Sequence, residues 1–199
     1  MASYRSPHWP LLVPDEYIEK YAGVYDEGYD SIRQARIERE IELGILEPDQ
    51  TPAPRHPEYA AWEDLSENMR QREIKRMQIY AGMVDIMVEN IGRLIDYLKQ
   101  DDMYDDTVIV FFSDKPAEGN DPGLLGSASS GSRNVRFDGY DNSLENMGRP
   151  GSYTIQGPGW AHVSNTPWFL HKGFASEGGI SSPLIIANSG LIPGCLLYT

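Results

Sequence analysis

Residues Thr107–Gly119 read TVIVFFSDKPAEG. The run Thr107–Phe112 is β-branched or aromatic throughout, without the polar alternation of a strand wetted on one side. That composition predicts a strand buried on both faces, as in a helix-covered sheet. The run stops at Ser113-Asp114-Lys115-Pro116. In open α/β sheets, ligands bind in the loops beyond the carboxyl ends of strands. Asp114 is therefore a site candidate, although Ser113-Asp114 reads equally well as the start of a turn.

The segment in front of this strand carries the clearest helical pattern in the chain. Met77, Tyr80, Val84, Met87, Ile91, Leu94 and Leu98 recur at spacings of three and four, and Met83, Val88 and Ile95 widen the stripe. Ser66 is placed to cap, and Glu67 puts an anion in the first turn, so a helix over 66–100 is predicted. It would run roughly 50 Å at 1.5 Å per residue. The methionines in the stripe are read as core packing rather than as a binding groove. A helix that turns through the polar run 101–106 into a buried strand suggests half of a parallel βαβ arrangement.

Upstream, Pro7, Pro10 and Pro14 keep the chain around His8-Trp9 extended. A short helix is expected from Asp15 to about Ala22, and a second over Tyr25–Leu43 with Gly44 ending it. Residues 48–57 form a loop containing TPAPRHP. Downstream, residues 120–160 are rich in Gly, Ser, Asn and Asp and read as a long loop with one short helix near Ser143–Met147. Pro183–Ala187, PLIIA, is a second strand candidate.

Composition narrows the function classes. With 199 residues and 40% hydrophobic content, a sizeable core is affordable in one domain. The net charge of -13 argues against a nucleic-acid partner, because phosphates would be repelled. The lone Cys195 excludes an internal disulfide and a cysteine-based zinc site. MASYRSPHWP lacks the apolar core of a signal peptide and no run is long enough to span a bilayer, so a soluble chain without a membrane partner, cytoplasmic as written, is the expectation. The histidines His8, His56, His162 and His171 show no HExxH spacing, and Gly126–Gly131, GSASSG, lacks the GK[ST] ending of a P-loop. What spacing leaves is a constellation of Asp114, His8, His171-Lys172 and two Gly-rich turns at 157–159 and 178–179. Acid, imidazole and ammonium together could bind a metal and an anion.

Four segments, in order, resemble the sulfatase family, specifically bacterial-type arylsulfatases: HWPLLVP, YAGMVDIMVENIGRLIDYL at 80–98, FFSDKPAEG, and TPWFLHKGFASEGGISSPLI. The resemblance runs from Pro7 to about Ile192 and implies the middle portion of a typical member. On it, residues 1–199 are expected to be a partial sulfatase catalytic domain, with the N-terminal nucleophile region and the C-terminal subdomain absent. The implied fold class is α/β, a partial alkaline-phosphatase-like fold with a mixed sheet flanked by helices. Intact members, which are often exported, hydrolyse sulfate esters. They use a formylglycine made from a C/S-x-P-x-R motif, and a calcium ion that polarises the sulfate oxygens. The implied substrate is a sulfate-ester small molecule or a sulfated carbohydrate.

Residue by residue, the resemblance makes Asp114 a calcium ligand, His8 the group that contacts sulfate and protonates the leaving alcohol, and Lys172 a sulfate-binding ammonium. The departures are equally specific. Lys115 stands where the family has an Asn ligand, and an ammonium has no lone pair for calcium, so calcium binding is in doubt. Pro116 replaces a glycine and Ser181 a frequent arginine. No C/S-x-P-x-R occurs, and Thr51-Pro-Ala-Pro-Arg55 only imitates it. The alternative is thus a catalytically inactive sulfatase-like module with weak anion binding. With only two convincing strands, apolar strand faces and open edges are expected, and with them poor folding or aggregation of the isolated polypeptide.

Overall fold

The computed structural model describes residues 1–119 and 139–187. Five α-helices are present among them, α1 (Asp15–Glu19), α2 (Gly28–Glu42), α3 (Glu67–Gln100), α4 (Pro158–Ser164) and α5 (Glu177–Ile180), with a short 3-10 helix at Trp62–Asp64 between α2 and α3. Two strands, β1 (Ile109–Phe112) and β2 (Leu184–Ala187), complete the order. No helix among the described residues is long and apolar enough to cross a membrane.

The 34-residue α3 is the axis of the molecule. Ser66, extended at φ -63° and ψ 157°, accepts a hydrogen bond from the Met69 N–H at 3.4 Å and so caps the first turn. The first half of α3 lies between two apolar clusters. On one side Ile79 packs with Leu11, Val13, Ile18 and Met147, bordered by Trp9, Tyr17 and Met83. On the other, Met77 borders Tyr29, Trp160 and Val163. Full burial of side chains of this size stabilises by about 1.5–3 kcal/mol each. Trp160 is the centre of the second cluster. It is completely buried, meets Tyr25 and Tyr29 edge-on, and donates its indole N–H to the Glu73 carbonyl of α3 at 2.8 Å.

The proline-bounded N-terminal segment is not helical, but around His8 it turns where an extended chain was expected: the His8 N–H donates to Arg5 O at 2.8 Å, Ser6-Pro7 forms the turn and Trp9-Pro10 a bend, and the part that follows is stitched to the 148–154 segment. Leu11 N–H donates to Thr154 O at 2.8 Å and Val13 N–H to Gly148 O at 3.0 Å. Arg149 grips Asp15 at the start of α1 with two bonds of 2.9 and 2.8 Å. The loop with TPAPRHP is structural: Ala53 N–H bonds Pro167 O, Arg33 donates to Ala53 O, and Arg55 pairs with Asp30 at 2.6 Å.

Several expectations are corrected. β1 is not buried on both faces. Its burial alternates, with Val110 51% and Phe112 63% exposed, because the described residues supply no layer over that face. Nor does the helix-to-strand passage lead into parallel pairing: β1 and β2 run antiparallel, with Ile109 opposite Ala187 and Phe112 opposite Leu184. This two-stranded ribbon is the whole sheet among the described residues; it holds the two strands read from the sequence and agrees with a partial α/β fold. The 157–159 turn is in fact the entry to α4, with Pro158 in the first turn where its missing N–H costs nothing. Ser143–Met147 forms turns instead of a helix, α1 stops at Glu19, and α2 starts at Gly28. The GSASSG stretch and Cys195 lie outside the described residues.

Candidate active site

The loop leaving β1 is held by its own side chains first. Ser113 Oγ donates to Lys115 O at 2.6 Å, a tight local turn. Within it Asp114 and Lys115 pair with each other, Nζ to Oδ2, at 2.6 Å. That hydrogen bond and the lysine's charge hold the Asp114 carboxyl below the usual carboxylate range, and the more distant Lys172 ammonium adds to the effect. Asp114 is solvent-facing, its side chain 78% exposed.

Beyond Pro116 the loop is clamped to the segment that follows α4. The Ala117 N–H donates to Asn165 Oδ1 at 3.2 Å, while the Asn165 amide donates to Leu170 O and Gly178 O at 3.1 and 2.8 Å. The Lys172 N–H donates to Ala117 O at 2.9 Å. Lys172 Nζ then reaches Glu118 at 2.7 Å, with both side chains mostly shielded. Gly119 ends the described loop against the ring of His171: a Cβ there would lie 2.4 Å from Cδ2, so only glycine fits. The Gly178-Gly179 pair is required for the same reason, since added Cβ atoms would sit 2.3 Å from Leu170 O and 1.9 Å from Phe174 O.

His171 itself is fully buried. Its Nδ1 lies 3.0 Å from the Lys172 carbonyl and its Nε2 2.9 Å from the Tyr59 hydroxyl. Burial lowers the His171 pKa and pushes the Tyr59 hydroxyl up to about 12, so both are neutral near neutral pH.

Of the three residues singled out from sequence, the structure brings two to one place. Asp114 and Lys172 share the clamped loop. His8 belongs to the N-terminal segment, exposed, with Nδ1 donating to Trp9 O at 2.6 Å and its ring against Trp9. Glu118, Tyr59 and Asn165 organise the site and were not anticipated. Glu118 could have been found as the second acid of the same loop. Tyr59 meets His171 across 112 residues and leaves no local signal.

Calcium takes six to eight oxygen ligands. Among the described residues no group of three or more His, Cys, Asp or Glu side chains is placed to hold a metal ion. The carboxylate offered for it already carries the Lys115 ammonium. As arranged, these residues do not fit a calcium ion. A cleft of about 540 Å³ lies elsewhere, beside Trp62, Arg70 and Lys75 at the start of α3, and includes none of the loop residues.

Comparison with known proteins matches residues 1–194 to the family described as Sulfatase. The chain is 40% identical over 190 residues to an uncharacterized sulfatase of Schizosaccharomyces pombe, covering 95% of this chain and 34% of that protein. It is 35% identical over 190 residues to an arylsulfatase of Klebsiella aerogenes, covering 95% of this chain and 40% of that one. It thus spans well under half the length of these relatives. With a family match running through both the β1 loop and the Lys172 segment, the chain belongs to the sulfatase family.

Proposed function

We propose that this chain forms part of a sulfate-ester hydrolase and supplies its anion-binding side, with Lys172 as the group that meets the sulfate. The observation that supports this is the clamp between 117–119 and 165–172, which sets Lys172 and Asp114 at one loop end. Lys172 is a compact cation suited to a tetrahedral anion. Its pairing with Glu118 keeps the ammonium placed until an anion competes for it. The role of His8 as the acid for the departing alcohol rests on the family resemblance alone, because His8 lies on the N-terminal segment with Nδ1 tied to Trp9 and is not brought to the clamp. The substrate class is a small sulfate ester, aryl or carbohydrate.

A second reading has its own observation. The Asp114–Lys115 pair places an ammonium on the carboxylate expected to face a metal, which favours a non-catalytic sulfatase-like module that binds anions weakly. Grafting residues 1–190 in place of the aligned stretch of the Klebsiella arylsulfatase separates the two. Release of 4-nitrophenol from 4-nitrophenyl sulfate by that chimera supports the hydrolase, and Lys172→Met should then lower kcat/KM by about 100- to 1000-fold. Turnover and calcium binding that appear only after Lys115→Asn with Pro116→Gly would establish the inactive module. A Lys172→Met chimera as active as its parent would remove Lys172 from the site.

A further inference from the structure

His171 touches three separate parts of the chain. Nδ1 faces the carbonyl of Lys172, Nε2 faces the hydroxyl of Tyr59, and the Cδ2–Nε2 edge fills the space left by Gly119. A carbonyl only accepts, so Nδ1 carries the hydrogen. Nε2 is then the lone-pair nitrogen and accepts from the Tyr59 O–H. The ring lies nearly parallel to Tyr59, at 17°, and edge-on to Phe174. No water reaches it, as His171 is fully buried and Tyr59 nearly so. Both backbone groups of Lys172 are consequently fixed: its N–H by Ala117 O and its carbonyl by His171.

We propose that Tyr59 and His171 are a positioning pair that sets the Lys172 ammonium for sulfate, acting through the Lys172 backbone. The inference rests on the reading of Lys172 as the anion-binding residue. Tyr59 fixes the tautomer, and the tautomer fixes the Lys172 carbonyl. Neither residue touches the anion.

Titration of the ¹⁵N-labelled chain with inorganic sulfate, read at the Lys172 amide and ammonium, tests this. In the unmodified chain, long-range ¹H–¹⁵N correlations should show His171 protonated on Nδ1; protonation on Nε2 overturns the proposal without any variant. Loss of one neutral hydrogen bond in Tyr59→Phe should weaken sulfate binding by about three- to tenfold. The amide of His171→Asn reproduces the Nδ1 donor and should hold affinity within about twofold of the unmodified chain, whereas His171→Gln, with its donor one bond further out, should lose about tenfold. A space-filling role would rank these two the other way, since glutamine fills more of the ring's volume. Equal affinity in all three variants, with Lys172→Met unresponsive, overturns the positioning role and leaves the anion site standing. A Lys172→Met chain that still binds sulfate as the unmodified chain does overturns both.

Discussion

The two halves of α3 carry the same apolar stripe and meet opposite fates. Through Met77, Tyr80 and Met83 the stripe, with Ile79 beside it, is enclosed by α1, α4 and the N-terminal segment. Beyond Met87 the pattern continues at the same spacing, yet Val88 is 54% and Leu94 44% exposed. The β1–β2 ribbon resembles the second half: one face of β1 is open from Val108 to Phe112. Periodicity reports the face a sequence is shaped to bury, and burial follows only where another element arrives to cover it. Among the described residues the covering elements are α1, α2, α4 and the proline-rich segments, which meet the first half of α3.

The contrast can be broken most directly at Trp160. Trp160→Ala should cost about 3–5 kcal/mol by emptying the second cluster and removing the indole hydrogen bond to the Glu73 carbonyl, enough to abolish cooperative unfolding of the packed region. A urea melt followed by near-ultraviolet circular dichroism checks it. An unchanged midpoint would mean that the packed region is no more cohesive than the ribbon.

Acid provides the second test. His162 is buried in α4, and burial, aided by Arg33, Arg55 and His171 against the opposing Asp30, lowers its pKa to about 4. A histidine kept neutral by folding contributes stability fully above its unfolded value near 6.5, and that contribution is lost as pH falls toward about 4. Between pH 7.5 and 4.5 the packed region should lose about 2–3 kcal/mol through this residue. His162→Gln should flatten that part of the pH dependence, measured as urea midpoints, while circular dichroism of the ribbon strands stays indifferent to it.

The smallest effect is predicted on the open face. Phe112→Thr removes a large exposed ring from a strand edge and should change stability by less than about 0.5 kcal/mol. The same change should reduce binding of a hydrophobic dye and slow aggregation, because an apolar open edge is a template for pairing. A loss of stability comparable to that of Trp160→Ala would show that the ribbon is packed after all.

Much of the frame was legible in the sequence because its signals are local. The Ser66 cap, the α3 stripe and the PLIIA strand each declare themselves within a few turns or residues. The family was legible too, through segments whose order and composition match it, and Asp114 and Lys172, singled out on those segments, do come to one loop end, while their roles remain part of the proposal. The misreadings share one cause. A run such as TVIVFF records how apolar its setting is meant to be, and cannot say whether a second layer is at hand. Likewise Tyr59 and Asn165 acquire their roles only when distant segments meet, and a tyrosine after a proline-rich loop looks the same whether or not a histidine awaits it.

Asn165 has a consequence for how the molecule breathes. Beside the single backbone bond from Lys172 N–H to Ala117 O, one side-chain amide ties down the loop after β1, accepting from Ala117 and donating to Leu170 and Gly178. The loop is therefore coupled to α4 and its buried cluster more than to the strand it leaves. Opening of the ribbon and opening of the clamp become separate events, with separate free energies. Amides of Val110 and Phe111 can exchange with solvent while those of Ala117 and Lys172 remain protected, so the clamp that holds Lys172 outlasts the fraying of the strand that leads into it.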